Sequence, residues 1–303
     1  MGAKILNIKN HFTHLGIVSI EKLNKGWSGD EKFILTDDKG KRYLLRLVDI
    51  KKKERKIKEY ELIERCDSAG VPVQKPLEHG ALDDKYYILV EWIDGAEASE
   101  LLPALTSQQQ YDLGVEAGEY LRRIHALPNG QPESQWEEKF NRKIDSKIRM
   151  YEQCAYKYDK GHLFIEYIEN HRHLLDDREQ VPHHGDYHCG NMIIDDELDL
   201  HIIDFNRHDV GELWEEFNRI VWCAGRSSRF AAGRVDGYFD GHVPDDFWKL
   251  LLLYISTNTL SSLPWGVPFG EKQIEVFMNQ AKEILSWYDD MNTVVPSWYR
   301  ENK

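Results

Sequence analysis

The stretch "HHGDYHCGNMIIDDELDLHIIDFN", residues 183–206, decides how the chain reads. It carries four His, one Cys and six Asp or Glu, and two kinds of site can be built from it. In the first, His183, His184, His188, Cys189 and His201 supply ligands to a transition metal. None of the usual zinc spacings is present, and the neighbours His183 and His184 are expected to point in different directions. The second uses Asp186, Asn191 and Asp204. Asp186 and Asn191 stand five residues apart in a tight segment, and the hairpin "NMIID" to "LHIID" then brings Asp204 back. Carboxylates with an amide oxygen suit a hard cation such as Mg2+, whose remaining positions go to phosphate oxygens and water. A further carboxylate held off the metal can take a proton from an attacking hydroxyl. The same arithmetic of Asp, Asn and a later Asp before Phe operates in protein kinases.

Outward from this stretch the chain falls into two parts. Residues 17–48 alternate apolar and polar side chains, with turns at Lys25-Gly26 and at "DDKG", residues 37–40. "KKKERKIKEYELIERCDSAG" reads as a helix stopped by Gly70, and "VPVQKPLEHGALDDKYYILVEWIDG" returns to strands. The expectation is an antiparallel sheet with one inserted helix over the first 95 residues. After Gly95, "TSQQQYDLGVEAGEYLRRIHAL" is helical, with Thr106 or Ser107 as N-cap. Further helices are expected near 137–155, 162–174, 212–224, 245–260 and 271–290. The domain reading is therefore 1–94 as a β-rich lobe and 95–303 as a helical lobe.

Bulk properties narrow the function classes. With 303 residues and 41% hydrophobic composition, the chain is an ordinary globular protein. Net charge is -13, distributed as +2 over residues 1–95 and -15 over 96–303, which disfavours phosphate-driven nucleic-acid binding. The acidic half would attract a cationic ligand, or serve solubility alone. Cys66, Cys154, Cys189 and Cys223 form no C-x-x-C pair, which suits a reducing cytosol. The N-terminal segment has no signal-peptide core, and the apolar run Leu250–Ile255 is too short for a membrane span. A cytoplasmic protein without membrane or nucleic-acid partners is expected.

"HGDYHCGN" followed by "IIDF" resembles the aminoglycoside phosphotransferase and choline kinase-like enzymes. "GVPVQKPL", "YYILVEWIDG", "LGVEAGEYLRRIHAL" and "GELWEEFNR" resemble further family segments in the right order, so the likeness spans most of the chain. The resemblance implies an α+β, two-lobed protein kinase-like fold, with a nucleotide-binding first lobe and the catalytic loop and acceptor site in the second. It implies a phosphotransferase acting from ATP or GTP on a small-molecule hydroxyl, such as an aminoglycoside antibiotic. A kinase of a choline-like or sugar-like alcohol, or a nucleotide-binding regulator that has lost catalysis, are its rivals.

Carried over residue by residue, Asp186 would orient and deprotonate the acceptor, and Asn191 and Asp204 would hold Mg2+. His184 and His188 would brace the loop. Gly26, Ser28 and Gly29 would let backbone approach the phosphates. Arg46 stands where the family usually places a phosphate-binding Lys, and its planar fork is not equivalent to an ammonium. A long cation among apolar neighbours needs a partner, and Glu59 is preferred over Glu61. Backbone groups at Glu91 and Ile93 would meet the adenine edge. Asp209, Glu212, Glu215 and Glu216 are the acceptor-site candidates, Glu216 with an alternative role in supporting the loop.

Overall fold

In the computed structural model, which describes residues 2–24, 29–129 and 135–302, the alternating segments form one antiparallel sheet. Its strands are β1 (Ile17–Leu23), β2 (Glu31–Asp37), β3 (Arg42–Asp49), β4 (Pro76–Leu82) and β5 (Lys85–Glu91), in the order β1-β2-β3-β5-β4. The "DDKG" turn works through its first residue: Asp37 Oδ1 accepts from the backbone N–H of Lys39 and Lys41, at 2.9 and 2.8 Å. Gly40 supplies the left-handed φ of +83°.

Central strand β3 is buried from Tyr43 to Val48, so both of its faces are covered. One face packs Tyr43, Leu45 and Leu47 with Ile8 and Phe12. Ile8 belongs to a helix, α1 (Gly2–His11), that the sequence reading did not contain. The first ninety-odd residues thus hold two helices rather than one. The other face of β3 turns Arg46 towards α2 (Lys53–Ser68), the expected inserted helix, which buries Lys56, Glu59, Leu62, Ile63 and Cys66.

By contacts the chain divides into two compact units, 1–96 with 193–208, and 97–192 with 209–303. Short β6 (Ala96–Glu97) marks the first crossing. In the second unit come α3 (Ala98–Leu101), α4 (Ser107–His125), α5 (Trp136–Gln153), α6 (His162–His171) and β7 (Gln180–His183). Thr106 is the N-cap of α4 and forms a full capping box with Gln109. The hairpin β8 (Met192–Ile194) and β9 (Leu200–Ile202) carries the chain into the first unit, where Ile202 N–H donates to Pro72 O at 2.8 Å. A Cβ on Gly95 would come within 2.4 Å of Ile194 O, so only glycine permits this approach. The chain then returns through β10 (Asp209–Glu212), α7 (Ile220–Ala224), α8 (Ser228–Phe239), α9 (Asp245–Gly266), α10 (Glu271–Trp287) and α11 (Ser297–Arg300).

Two expectations need correction in this unit. The helix expected over 212–224 is a strand end at Glu212, a 3-10 segment Glu215–Arg219 and only then α7. Helix α8 was absent from the reading because "FAAGRVDG" looks like a breaker sequence. Its glycines are there for packing. A Cβ at Gly233 or Gly237 would stand 2.2 or 2.1 Å from the carbonyl oxygens of Tyr111 and Val115 on α4. Reciprocally, Gly114 and Gly118 of α4 face Phe230 O and Arg234 O at 2.3 and 2.2 Å. The two helices therefore meet backbone to backbone. Among the described residues no helix is long and apolar enough to cross a membrane.

Alanine normally gains about 1 kcal/mol over glycine inside a helix. At Gly118 the clash outweighs that gain, because overpacking costs about 1–3 kcal/mol or more. Gly118→Ala should lower the melting temperature by about 2–4 °C, read by circular dichroism. Gly29→Ala, where a Cβ meets nothing within 4 Å, should not. Coincident melting of Gly118→Ala and wild type would rule out the close approach.

Candidate active site

In the first unit the site grows from β3 and α2. Arg46 is buried on the sheet and ion-paired on three sides, to Asp30 at 2.7 Å, Glu59 at 3.0 Å and Asp204 at 3.1 Å. The expected Arg46–Glu59 pair is present. Lys56, one turn before Glu59 on α2, reaches the same two acids, Asp30 at 2.8 Å and Glu59 at 2.7 Å. Arg46 is held protonated well above its usual range, since Glu59, Asp204 and Asp30 outweigh the effect of burial. Lys32, opposite Arg46 across β2 and β3, has its ammonium pushed down by burial and by Arg46. Asp30, Lys32 and Lys56 were not singled out from the sequence. Lys56 had a visible signal in its i, i+3 spacing to Glu59, and Asp30 had none.

Beside this network a small recess of about 10 Å3 is lined by Arg46, Val90, Ile203 and Asp204, among others. Asp204 follows β9 with left-handed φ of +66°, a conformation uncommon outside glycine but accessible to Asp. Such strain tends to persist where the surroundings impose it. Gly26 and Ser28 lie outside the described residues. Gly29 is described, and nothing around it demands glycine. At the expected adenine edge, Glu91 N–H is already committed to Lys75 O at 2.9 Å, so this donor is not open to a base. Its side chain pairs with Lys41. Ile93 follows β5, half-buried.

In the second unit the loop from His184 to Asn191 is fixed almost atom by atom. Gly185 takes φ of +86°, and its N–H donates to Glu216 Oε1 at 2.8 Å. Asp186 N–H donates to His184 Nδ1 at 3.2 Å, and Gly190 N–H to His188 Nδ1 at 3.0 Å. Asn191 Nδ2 donates to Asp186 O at 2.9 Å, which turns its amide oxygen away from the loop backbone. Buried Tyr187 donates its hydroxyl to Ala117 O at 2.7 Å, and Arg234 Nη1 donates to Tyr187 O at 2.9 Å. The close-packed pair α4 and α8 thereby anchors the loop from beneath. Buried Cys189 donates its backbone N–H to Cys223 Sγ at 3.3 Å. Asp186 keeps its side chain partly exposed, with Arg219 Nε at 3.2 Å and His188 Nε2 at 3.7 Å from Oδ1. Arg219 was missed by sequence reasoning, which attended to the acids before it.

The acceptor candidates need revision. Glu212 is fully buried and accepts from Arg178 at 2.8 and 3.0 Å and from Trp214 N–H at 2.9 Å. Glu216 is equally buried under the loop, so its alternative role as loop support fits and contact with an acceptor does not. Glu215 pairs with Lys143 at 2.9 Å. Asp209 is exposed, 3.5 Å from His183 Nδ1. Of the histidines weighed as metal ligands, His184 and His188 serve the loop and His201 pairs with Asp195 at 2.9 Å. His183 instead joins His125 and Glu216 in a buried group whose ligand atoms lie within 4.8 Å.

This buried group is held by protons. Burial alone would depress His183, but Glu216, Asp209 and Glu215 raise it to about 9. Burial would raise Glu216, yet His183 and His125 take it down to about 2. A raised histidine stabilises fully below its unfolded value near 6.5 and loses that contribution as pH rises through about 9. The Glu216 contribution is present above about 4.5 and is lost only towards about 2. The His183 contribution should therefore be lost between pH 6.5 and 9, and His183→Gln should make the pH slope of stability in that range less negative than in wild type, read by denaturant titrations. An unchanged slope in the variant would exclude a charged His183.

A family model described as phosphotransferase enzyme family, APH, matches residues 19–248. A sequence comparison with curated proteins returns no match. Among solved structures, the chain is similar to aminoglycoside 2'-phosphotransferase-IIIa in its GDP complex, at 15% identity and a TM-score of 0.68, covering 93% of this chain and 97% of that one. It is similar to a choline/ethanolamine kinase family protein from Mesorhizobium loti, at 14% identity and a TM-score of 0.68, covering 99% and 100%. It is also similar to amicoumacin kinase hAmiN bound to AMP-PNP, Ca2+ and Ami, at 13% identity and a TM-score of 0.64, covering 99% and 100%. At such identities the likeness establishes the two-lobed kinase-like α+β fold alone. The family match covers about three quarters of the sequence, and the chain belongs to the APH phosphotransferase enzyme family.

Proposed function

We propose that this phosphotransferase moves the γ-phosphoryl group of ATP or GTP to a hydroxyl of a small molecule, with Asp186 as the catalytic carboxylate. The observation that carries the reading is the loop from His184 to Asn191, where hydrogen bonds through every neighbour hold one partly exposed carboxylate in place. Such rigidity is what positioning catalysis requires. In the step, Asp186 accepts the proton of the acceptor hydroxyl as its oxygen bonds to the γ-phosphorus. The bond to the β-phosphate oxygen breaks, and the nucleoside diphosphate leaves.

The nucleotide belongs to the first unit. Arg46 faces the recess from the sheet, fixed by Glu59 and Asp30, and neutralises phosphate charge. The ammonium absent from β3 is supplied to the same network by Lys56. Val90 and Ile203 offer the base an apolar bed, while Glu91 has its N–H on Lys75 O and its carbonyl accepting from Gln74 Nε2 at 3.5 Å. Asn191 and Asp204 contribute an amide oxygen and a carboxylate, the donor chemistry of a hard cation. When bound with a nucleotide, Mg2+ offsets charge on the phosphate oxygens.

The similar structures include an aminoglycoside phosphotransferase and an amicoumacin kinase, and the proposal extends to hydroxyl-bearing small molecules as acceptors. An aminoglycoside was expected from the acidic side chains near the loop, and the interior placement of Glu212 and Glu216 takes away half of that argument.

Mg-ATP or Mg-GTP should raise the melting temperature of the purified chain, and absence of a shift with either would contradict the proposal. Asp186→Ala should keep that shift while acceptor-dependent diphosphate release drops about 10^2- to 10^4-fold, the usual weight of a general base. Full turnover in this variant would remove Asp186 from the mechanism.

A further inference from the structure

The surroundings of Asp186 are cationic, although the unit that holds it is strongly acidic. Arg219 closes the 3-10 segment after β10 and meets Asp186 Oδ1 through Nε at 3.2 Å. Among the described residues that is its one ion pair, with Nε the nearest nitrogen of the guanidinium. The two outer nitrogens, which form the fork suited to a carboxylate or phosphate, are left to other partners. From α5 come Lys143 and, one turn on, Lys147. Lys143 is paired to Glu215 at 2.9 Å. Lys147 is part-buried, and among the described residues it has neither a hydrogen bond nor an ion pair. Burial above all, with Lys143 and Arg219, pushes its ammonium down to about 7 against the pull of Glu215. Arg219 faces Asp186, Lys143 faces Glu215 one turn earlier in the same segment, and Lys147 lies one turn beyond Lys143 on α5.

A polycationic acceptor would meet Arg219 at the base itself, and Glu212 and Glu216 are too deeply buried to contact it. We propose that the acceptor carries an anionic group, a carboxylate or a phosphate, beside the hydroxyl that is phosphorylated, and that Arg219 and Lys147 bind that group. The inference rests on the phosphotransferase reading and deepens it. Arg219 then has two states of use. Without acceptor it covers Asp186; with acceptor, its outer nitrogens hold the anion and the hydroxyl is set beside the carboxylate. Arg219 and Lys147 are specificity residues in this account, and Asp186 remains the base.

The test measures diphosphate release by the full chain with Mg-ATP and Mg-GTP on matched acceptors. The sets are glycerol, D-glycerate and glycerol 3-phosphate; D-ribose and D-ribose 5-phosphate; and the cations choline and kanamycin. Within a set, an anionic member should exceed its neutral counterpart at least tenfold in kcat/KM, and the D-glycerate and phosphate arms tell which anion is read. Arg219→Gln should raise KM for that acceptor at least tenfold with a smaller change in kcat, and Arg219→Lys should recover part of the loss. Lys147→Gln should act in the same direction. A residue that merely steadied Asp186 would lower kcat on charged and neutral acceptors alike. The proposal falls if neutral or cationic acceptors react as well as anionic ones, if the preference survives in Arg219→Gln, or if a nucleotide-stabilised enzyme uses none of the anionic acceptors. A wild-type protein that Mg-nucleotide does not stabilise overturns the phosphotransferase reading itself.

Discussion

Arg46 is the constraint around which the first unit is arranged. A guanidinium buried between two layers is tolerable only if carboxylates meet it from several directions, and Asp30, Glu59 and Asp204 do so. Each comes from a different part of the chain: the approach to β2, helix α2, and the segment after β9. Lys56 then balances Asp30 and Glu59. Removing one member of such a network typically costs about 3–5 kcal/mol, because the others are left charged and unpaired. The network therefore fixes the register of β2 on β3, the rotation of α2 and the strained backbone of Asp204 together. In an enzyme acting on a phosphorylated nucleotide, the same charges are already placed and need no rearrangement when the nucleotide arrives.

The second unit depends on something less chemical. Glycines at 114, 118, 233 and 237 let α4 and α8 touch, and that contact sets where Ala117 O and Arg234 stand. Those two groups hold Tyr187, and Tyr187 is the residue after Asp186. Helix packing at van der Waals distance is thus transmitted through two hydrogen bonds to the loop that carries Asp186. Glu216 completes the support from the other side, with His183 and His125 compensating its buried charge.

Legibility followed interaction range. The hairpin after Asn191 was visible, as was the Arg46–Glu59 pair, since a central strand cation needs a neighbouring helix acid. Thr106 was readable as a cap because its partner Gln109 lies three residues on. Strands β7 and β10, four residues each, were too short for alternation to declare itself. Helix α8 was hidden because glycines that serve close packing look like breakers. Acid side chains at 212, 215 and 216 could not be sorted by type, since the difference between a buried Glu212 and an accessible Asp209 is decided by tertiary packing. Arg219 and Lys147 gave no signal for the same reason.

The central claim is that the Arg46 network reads the phosphates of a nucleotide and not its base. Titration calorimetry of AMP-PNP and of adenosine into wild type and Arg46→Ala, both with Mg2+, tests it most directly. The account predicts that AMP-PNP affinity falls more than tenfold in the variant while adenosine affinity holds, with the variant's fold checked by circular dichroism. Equal weakening of both ligands, or unchanged AMP-PNP binding by a folded variant, would contradict it.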